Sequence, residues 1–252
     1  MTKVCVISGA ASGIGKATLE LFSANGYGCV GVDSDEAAID RLLSELDGAA
    51  DRIRFVHADL LTEDEIDLGP IASPGGQRTE LTLVNNLGGS RPSGGTGPLE
   101  PHRWEDFADV LTFNLKPLHT LTHACLEVMR DNEYGRIVNV SSVSGRRALG
   151  SVDPAYGAAK AAVIALSRHL ALELAGDGVL VNTVCPGVIA TDRMEQRWAA
   201  RGGDLNQEVL RQIPLARPGR PEEVAEAIYH LGSTSTYTTG SILDVNGGMH
   251  LP

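Results

Sequence analysis

The sequence predicts an α/β chain doubly wound around one parallel sheet, and three observations predict it. Seven short runs rich in β-branched residues recur along the 252 residues. The runs are near-continuously apolar, as strands buried on both faces are, and amphipathic segments between them supply the helical cover such a sheet requires. No internal repeat and no linker interrupts the series, so a single domain over 1–252 is expected.

Each element has its own signal. KVCVISG (3–9) turns through glycines into a helix expected from Gly13 to Asn25, with Ile14, Ala17, Leu21 and Phe22 at helical spacing. YGCVGVD (27–33) ends in an acid, and a helix from about Asp35 to Leu46 follows, with Asp35 placed to cap it. IRFVHAD (53–59) and LTLVNN (81–86) are the third and fourth strands, and a long helix is expected from His102 to Asp131. GRIVNVSS (135–142) precedes a helix from Pro154 to Ala175, started by the cap Asp153 and proline at the first helical position. VLVNTVCPG (179–187), a helix from Pro221 to Leu231 and SILDVNGG (241–248) complete the series. Two loops stand out for glycine, SPGGQ (73–77) and GGSRPSGGTGP (88–98); the second follows a strand's carboxyl end, where open α/β sheets bind ligands, and is expected to line a cleft.

Composition narrows the function. A net charge of -11 and a pI near 5.0, without a basic patch, exclude nucleic acid as an expected partner. No run reaches the ~20 apolar residues of a membrane span, and the N-terminus lacks the apolar core of a signal peptide, so a cytoplasmic address is expected. Cys5, Cys29, Cys125 and Cys185 have no CxxC spacing and read as reduced and buried. His119 and His123 stand at i, i+4, yet no third ligand accompanies them and no metal is expected.

The strand, glycine turn and helix of VISGAASGIGKATLELF put backbone N–H groups and a helix N-terminus against an anion, with Gly9, Gly13 and Gly15 allowing close approach. A nucleoside-triphosphate loop is excluded, since it requires glycine at Ala10 and a hydroxyl at Ala17. Asp33 lies eighteen residues beyond Gly15, where a carboxylate accepts from both adenosine ribose hydroxyls and repels a 2′-phosphate, which favours NAD over NADP. Tyr156 falls in the first turn of its helix and Lys160 one turn later on the same face. A phenol titrates near ~10, so acid/base work near neutrality needs a shift of roughly 3 units, which a neighbouring ammonium and a helix N-terminus promote. On spacing alone the pair also fits an ordinary helix surface.

The chain as a whole resembles the short-chain dehydrogenase/reductase family. That family pairs a TGxxxGxG turn with a YxxxK helix; here stand SGAASGIG (Ser8 to Gly15) and YGAAK (Tyr156 to Lys160). NNLG (Asn85 to Gly88), Asn114 in FNLK, NVSSVSG (Asn139 to Gly145), PGVIAT (Pro186 to Thr191) and a terminal NGG (Asn246 to Gly248) follow the family's order. The resemblance implies a Rossmann-like fold in which Tyr156 exchanges a proton with substrate oxygen, Ser142 orients that oxygen and Lys160 lowers the tyrosine's pKa and binds ribose. It implies that Asn114 holds a water on a proton path. For the cofactor it implies Gly9, Ser12, Gly13, Ile14 and Gly15 around the turn, and Asp59 and Leu60 at adenine. Asn86 and Gly88 would lie along the cofactor, with Pro186, Gly187, Ile189 and Thr191 toward the carboxamide.

Several positions depart from the family pattern. Ser8 replaces threonine and keeps the hydroxyl, and Leu87 replaces alanine in NNAG. Ser142 and Tyr156 are fourteen residues apart where thirteen is common, and motif alignment puts the extra residue in GRRALGSVDP, with Ser141 and Ser144 as nearby hydroxyls. The family's long helix between the third and fourth strands is expected to be shortened or broken, because LLTEDEIDLGPIASPGGQRTE holds two prolines and Gly-Gly. Arg146 and Arg147 read as solvated, with an acidic substrate as the other option. The segment around 191–216 matches the family's substrate lid, where Met194 and Trp198 give an apolar face; a packed structural helix pair is the competing reading.

The expected function is an NAD-dependent oxidoreductase acting on a secondary alcohol or ketone. The alternative is a 3-oxoacyl-thioester reductase, which IPLARPGRPEEVAEAI resembles although Asp33 counts against the NADPH usual there. In another class, a dinucleotide-sensing protein that has lost catalysis is the rival. The resemblance also implies a homo-oligomer, dimer or tetramer, formed partly through the small-residue face of the Tyr156 helix.

Overall fold

The computed structural model describes residues 1–46, 52–71, 78–90, 103–150, 152–201 and 203–251. All seven expected strands form: β1 (Thr2–Ser8), β2 (Gly28–Asp33), β3 (Ile53–His57), β4 (Thr79–Asn85), β5 (Gly135–Val140), β6 (Val179–Pro186) and β7 (Ile242–Val245). They make one parallel sheet in the order β3-β2-β1-β4-β5-β6-β7. The order reverses between β1 and β4, the switch point at which such sheets open a crevice.

The helices are α1 (Gly13–Ala24), α2 (Glu36–Glu45), α3 (Trp104–Asp131), α4 (Pro154–Leu174), α5 (Asp192–Arg201), α6 (Gly203–Arg211) and α7 (Pro221–Tyr229). The lid segment is therefore a pair of helices, and the expected start at His102 lies outside the described residues. Of the glycine-rich loops, 73–77 also lies outside them, and the second is described over 88–90 alone.

Alternation along each strand divides the core into two layers. Val4 and Val6 of β1 point to a cluster with Leu121, Cys125 and Met129 of α3 and Leu174 of α4. Cys5 and Ile7 point the other way, to Leu19 and Phe22 of α1 and Val224 and Ile228 of α7. Each fully buried side chain of this size contributes about 1.5–3 kcal/mol. All four cysteines are buried and unpaired in disulfides, and burial pushes the Cys29 and Cys125 thiols up to about 12. After β3 no helix forms over the described residues 60–71; Leu60, Leu68 and Ile71 instead bury individually in the first layer. The broken-helix expectation holds there.

Among the described residues no helix is long and apolar enough to cross a membrane. His119 and His123 are exposed on α3 with rings 6.4 Å apart, and no group of three metal-ligating side chains forms among the described residues.

Candidate active site

A cleft of about 640 Å³ opens above the carboxyl ends of the strands. Its floor begins at the glycine turn. Gly9 and Gly13 have φ of 63° and 51°, a region that favours glycine, and a Cβ on Gly15 would lie 1.9 Å from Gly9 O. Gly15 therefore supports the turn from behind and does not line the cleft. Ser12, at the N-cap of α1, makes no side-chain bond to the helix, so the first-turn N–H groups carry no side-chain cap. By contrast α2 is capped by Asp35, which accepts from Ala38 N at 2.9 Å. Open amides, a glycine cradle and a helix N-terminus fit a pyrophosphate.

The switch point is stitched at the level of side chains. Ser8 Oγ accepts from the backbone N–H of Asn86 and of Leu87, both at 3.0 Å. Asn86 Nδ2 donates to Ser8 O and Gly9 O at 3.0 and 3.2 Å. The hydroxyl kept at position 8 thus holds the NNLG segment against the glycine turn, and Leu87 lines the cleft. Asp33 ends β2 at the far end of the same cleft. Its carboxylate is fixed by two backbone donors, Ala11 N at 3.0 Å and Asp35 N at 3.2 Å.

Ser12, Gly13, Ile14, Asn86 and Gly88 line the cleft on one side, with Pro186, Gly187, Ile189 and Thr191 on the other. The residues the resemblance assigned to adenine follow Ala58, whose N–H donates to Asp33 O at 3.0 Å. Leu60 is buried in the core at 1% exposure, and Asp59 Oδ1 accepts from Leu61 N at 3.0 Å; neither lines the cleft.

The catalytic candidates gather on the next wall. Asp153 accepts from Ala155 N at 2.8 Å and Pro154 follows at the first helical position, which places Tyr156 in the first turn of α4, as the sequence predicts. Lys160, 3% exposed, donates from Nζ to Val140 O at 3.0 Å and lies 5.8 Å from the Tyr156 ring centre. Burial brings its ammonium down to about 8, with the nearby Cys185 thiol acting the other way. Ser142 Oγ accepts from Ser144 N at 3.1 Å and lines the cleft with Tyr156 and Lys160. Asn114 lies behind this group, and a Cβ on Gly88 would approach its Oδ1 to 2.6 Å and Lys160 Nζ to 2.9 Å. Both groups therefore converge on one glycine. The Asn114 amide also exchanges two bonds of 3.0 Å with the Gly89 backbone and donates to Val110 O at 2.8 Å.

The fourteen-residue spacing finds its explanation in how β5 meets α4. Ser141 Oγ donates to Lys160 O at 2.7 Å, and a Cβ on Gly145 would sit 2.7 Å from Lys160 C. The turn after Ser142 is docked on α4 before residue 146, and Ser142 and Tyr156 both line the cleft despite the fourteen-residue spacing. The loop over 146–153 is tied elsewhere, which corrects the solvated reading for Arg146, while Arg147 is exposed as expected and bonded at its tip. Arg146 pairs with Asp244 of β7 at 3.3 Å with both side chains under 20% exposed, and Arg147 Nη1 donates to Met249 O at 2.5 Å.

Beyond Ser142 and Tyr156 the cleft is walled by apolar side chains. Leu149, Val152, Val188 and Met249 join Met194 and Trp198, with Gln196 and Gln212 as polar points. The sequence reading identified only the last two apolar residues, from the lid. Met249, three residues past Asn246, and Leu149 lie in segments whose composition carries no periodic signal.

An anion cradle at a sheet's switch point, beside a buried lysine and a cleft-facing tyrosine, defines the class of dinucleotide-dependent oxidoreductases. The comparisons give the family. A family model described as enoyl-(acyl carrier protein) reductase, adh_short_C2, matches residues 9–250. The chain is 36% identical over 251 residues to a 3-oxoacyl-[acyl-carrier-protein] reductase of Thermotoga maritima, covering 98% of this chain and 97% of that one. It is 33% identical to an acetoacetyl-CoA reductase of Rhizobium meliloti, covering 99% of each. Among solved structures, ElxO with NADP bound superposes with a TM-score of 0.88 at 27% identity, covering 99% of both chains. A short-chain dehydrogenase/reductase family oxidoreductase from Burkholderia thailandensis gives 0.82 at 31% identity, covering 99% of this chain and 93% of that one. This chain belongs to the short-chain dehydrogenase/reductase family and is an oxidoreductase.

Proposed function

We propose that the chain reduces the ketone of a 3-oxoacyl thioester to the secondary alcohol, using NADH in preference to NADPH. The observation that carries the reading is that Ser142, Tyr156 and Lys160 share the lining of an apolar-walled cleft, in a chain whose full-length relatives are named for 3-oxoacyl and acetoacetyl thioesters. The cleft would hold a dihydronicotinamide, which when bound would supply the hydride that the carbonyl carbon takes up. The Tyr156 O–H hydrogen-bonds the carbonyl oxygen and delivers a proton to it. Ser142, whose oxygen already accepts from Ser144 N, points its O–H at the same oxygen and fixes its direction. Lys160 stabilises the phenolate that remains, and Asn114 would hold the water that links Lys160 to solvent and returns the proton. The adenosine ribose is held by Asp33, whose anchored carboxylate repels a 2′-phosphate; this supports NADH although a solved relative is named with NADP bound.

A simple secondary alcohol or ketone is the second reading, favoured by Asp33. A silent dinucleotide sensor is opposed by the complete set of Asn114, Ser142, Tyr156 and Lys160. A cytoplasmic address and a dimer or tetramer belong to the same proposal, the latter supported by Leu172, 83% exposed on the outer side of α4. The deciding experiment follows NADH and NADPH absorbance with acetoacetyl-CoA, longer 3-oxoacyl thioesters and a panel of plain ketones and diols. Turnover confined to the plain ketones overturns the thioester reading, turnover with none supports the sensor, and tighter calorimetric binding of NADP than NAD overturns the role of Asp33.

A further inference from the structure

The cleft has an unusual charge inventory for a site that receives a dinucleotide. Its charged lining side chains, among the described residues, are Asp33, Asp153, Lys160, Asp192 and Arg193. Three are acids, and Lys160 is buried and bonded to Val140 O. Arg193 is thus the one exposed cation on the lining among the described residues. It is the second residue of α5, on the lid, yet its Nη2 donates to Ser90 O at 2.6 Å on the opposite wall. The bond therefore crosses the cleft.

Two further observations make the crossing a built contact. Ser90 follows Gly89, whose N–H and carbonyl are both held by the Asn114 amide, so the receiving carbonyl sits on a fixed segment. A Cβ on Gly89 would come within 2.9 Å of Arg193 Nη1, so the absence of a side chain there gives the guanidinium its seat. Asp192 lines a separate small recess with Lys16, whose ammonium it helps to raise.

We propose that Arg193 is a cofactor-retaining residue: braced on Ser90 O across the cleft, its remaining N–H donors hold the pyrophosphate of the bound dinucleotide and keep the lid closed over it. The inference rests on the proposed dinucleotide-linked function. A guanidinium presents five donors in a fixed fork, so one bond to Ser90 leaves the geometry for a charge-assisted contact to phosphate oxygens. The lid is then tied to the cofactor itself, and opening it requires breaking both bonds.

The test compares wild type, Arg193→Ala and Arg193→Lys by calorimetry with NADH, ADP-ribose and AMP, and by stopped-flow release of NADH. Charge-assisted bonds of this kind predict that Arg193→Ala weakens NADH and ADP-ribose about 10- to 30-fold. AMP, which lacks the pyrophosphate, is expected to bind unchanged, NADH release to accelerate by about the same factor, and Arg193→Lys to recover part of the loss. Unchanged NADH affinity and release in Arg193→Ala overturn the proposal, as does an equal loss for AMP, which would indicate a general disturbance. Failure of wild type to bind NADH at all would instead overturn the function on which it rests.

Discussion

The two walls of the cleft are held together by different means. On the catalytic wall, β5 and α4 are joined by Ser141 Oγ to Lys160 O at 2.7 Å, Lys160 Nζ to Val140 O at 3.0 Å and Asn139 Nδ2 to Ser167 Oγ at 2.8 Å. Gly145 presses on the α4 backbone with no room for a methyl group. On the lid wall, α5 and α6 are linked by Asn206 Nδ2 to Trp198 O at 2.9 Å, and the segment is seated through Ile213 on Val143 and Met249. One wall is fixed at its reacting groups by short polar bonds between β5, its following turn and α4; the other meets the substrate space with apolar side chains and is braced across the cleft by Arg193 on Ser90 O. Small errors should therefore cost rate on the first wall and change which molecule fits on the second.

The sharpest way to break that division is Tyr156→Phe. Removal of the acid/base is expected to lower kcat about 10³-fold with NADH affinity unchanged; near-normal turnover by the variant would remove Tyr156 from the reaction. Next comes Gly145→Ala, which forces the Ser142 turn off α4. A displacement of about 1 Å predicts roughly a 10²-fold loss in kcat, with a stability cost of about 1–3 kcal/mol in urea unfolding. Loss of stability with full activity would show that the docking does not set the Ser142 to Tyr156 distance.

Lys160 gives a pH signature to the same wall. Burial lowers its folded pKa to about 8 from 10.5, so above pH 8 the folded state binds fewer protons than the unfolded state. This contribution to stability is fully present above pH 10.5 and lost as pH falls through 8. In the cofactor-free protein it amounts to roughly 3 kcal/mol, on the order of a 10²-fold change in the folding equilibrium. Urea unfolding between those pH values should show wild type gaining this increment over Lys160→Met; parallel profiles would count against the depressed pKa. The smallest effect belongs to the lid. Trp198→Ala is expected to raise KM for the ketone substrate roughly 10-fold from lost apolar contact, with kcat within a factor of about 3. A fall in kcat as large as that of Gly145→Ala would erase the distinction between the walls.

How far the sequence could be read follows the same division. The sheet was legible because Val4/Val6 and Cys5/Ile7 are apolar on both faces, a local pattern that survives without tertiary knowledge. Tyr156 was legible because Asp153 and Pro154 start its helix, and Asp35 because a cap is a local bond. Gly145 against Lys160, Arg146 with Asp244 and Arg193 with Ser90 were not legible. Each joins residues between 15 and 103 positions apart and depends on where two elements meet. Leu60 was assigned to adenine by motif position, and its side chain is buried in the core, which leaves its backbone to face a ligand.

The docking of Gly145 on α4 has one more consequence. Because the contact precedes residues 146–153 and the Asp153 cap closes that stretch, the loop between them is insulated from the proton-transfer geometry at both ends. A change in its length is expected to leave the hydroxyl and phenol where α4 holds them, while Leu149 and Val152, which it carries into the cleft, move with it. The chain thereby has a place where an insertion changes the shape of the molecule admitted and leaves the reaction performed on it alone.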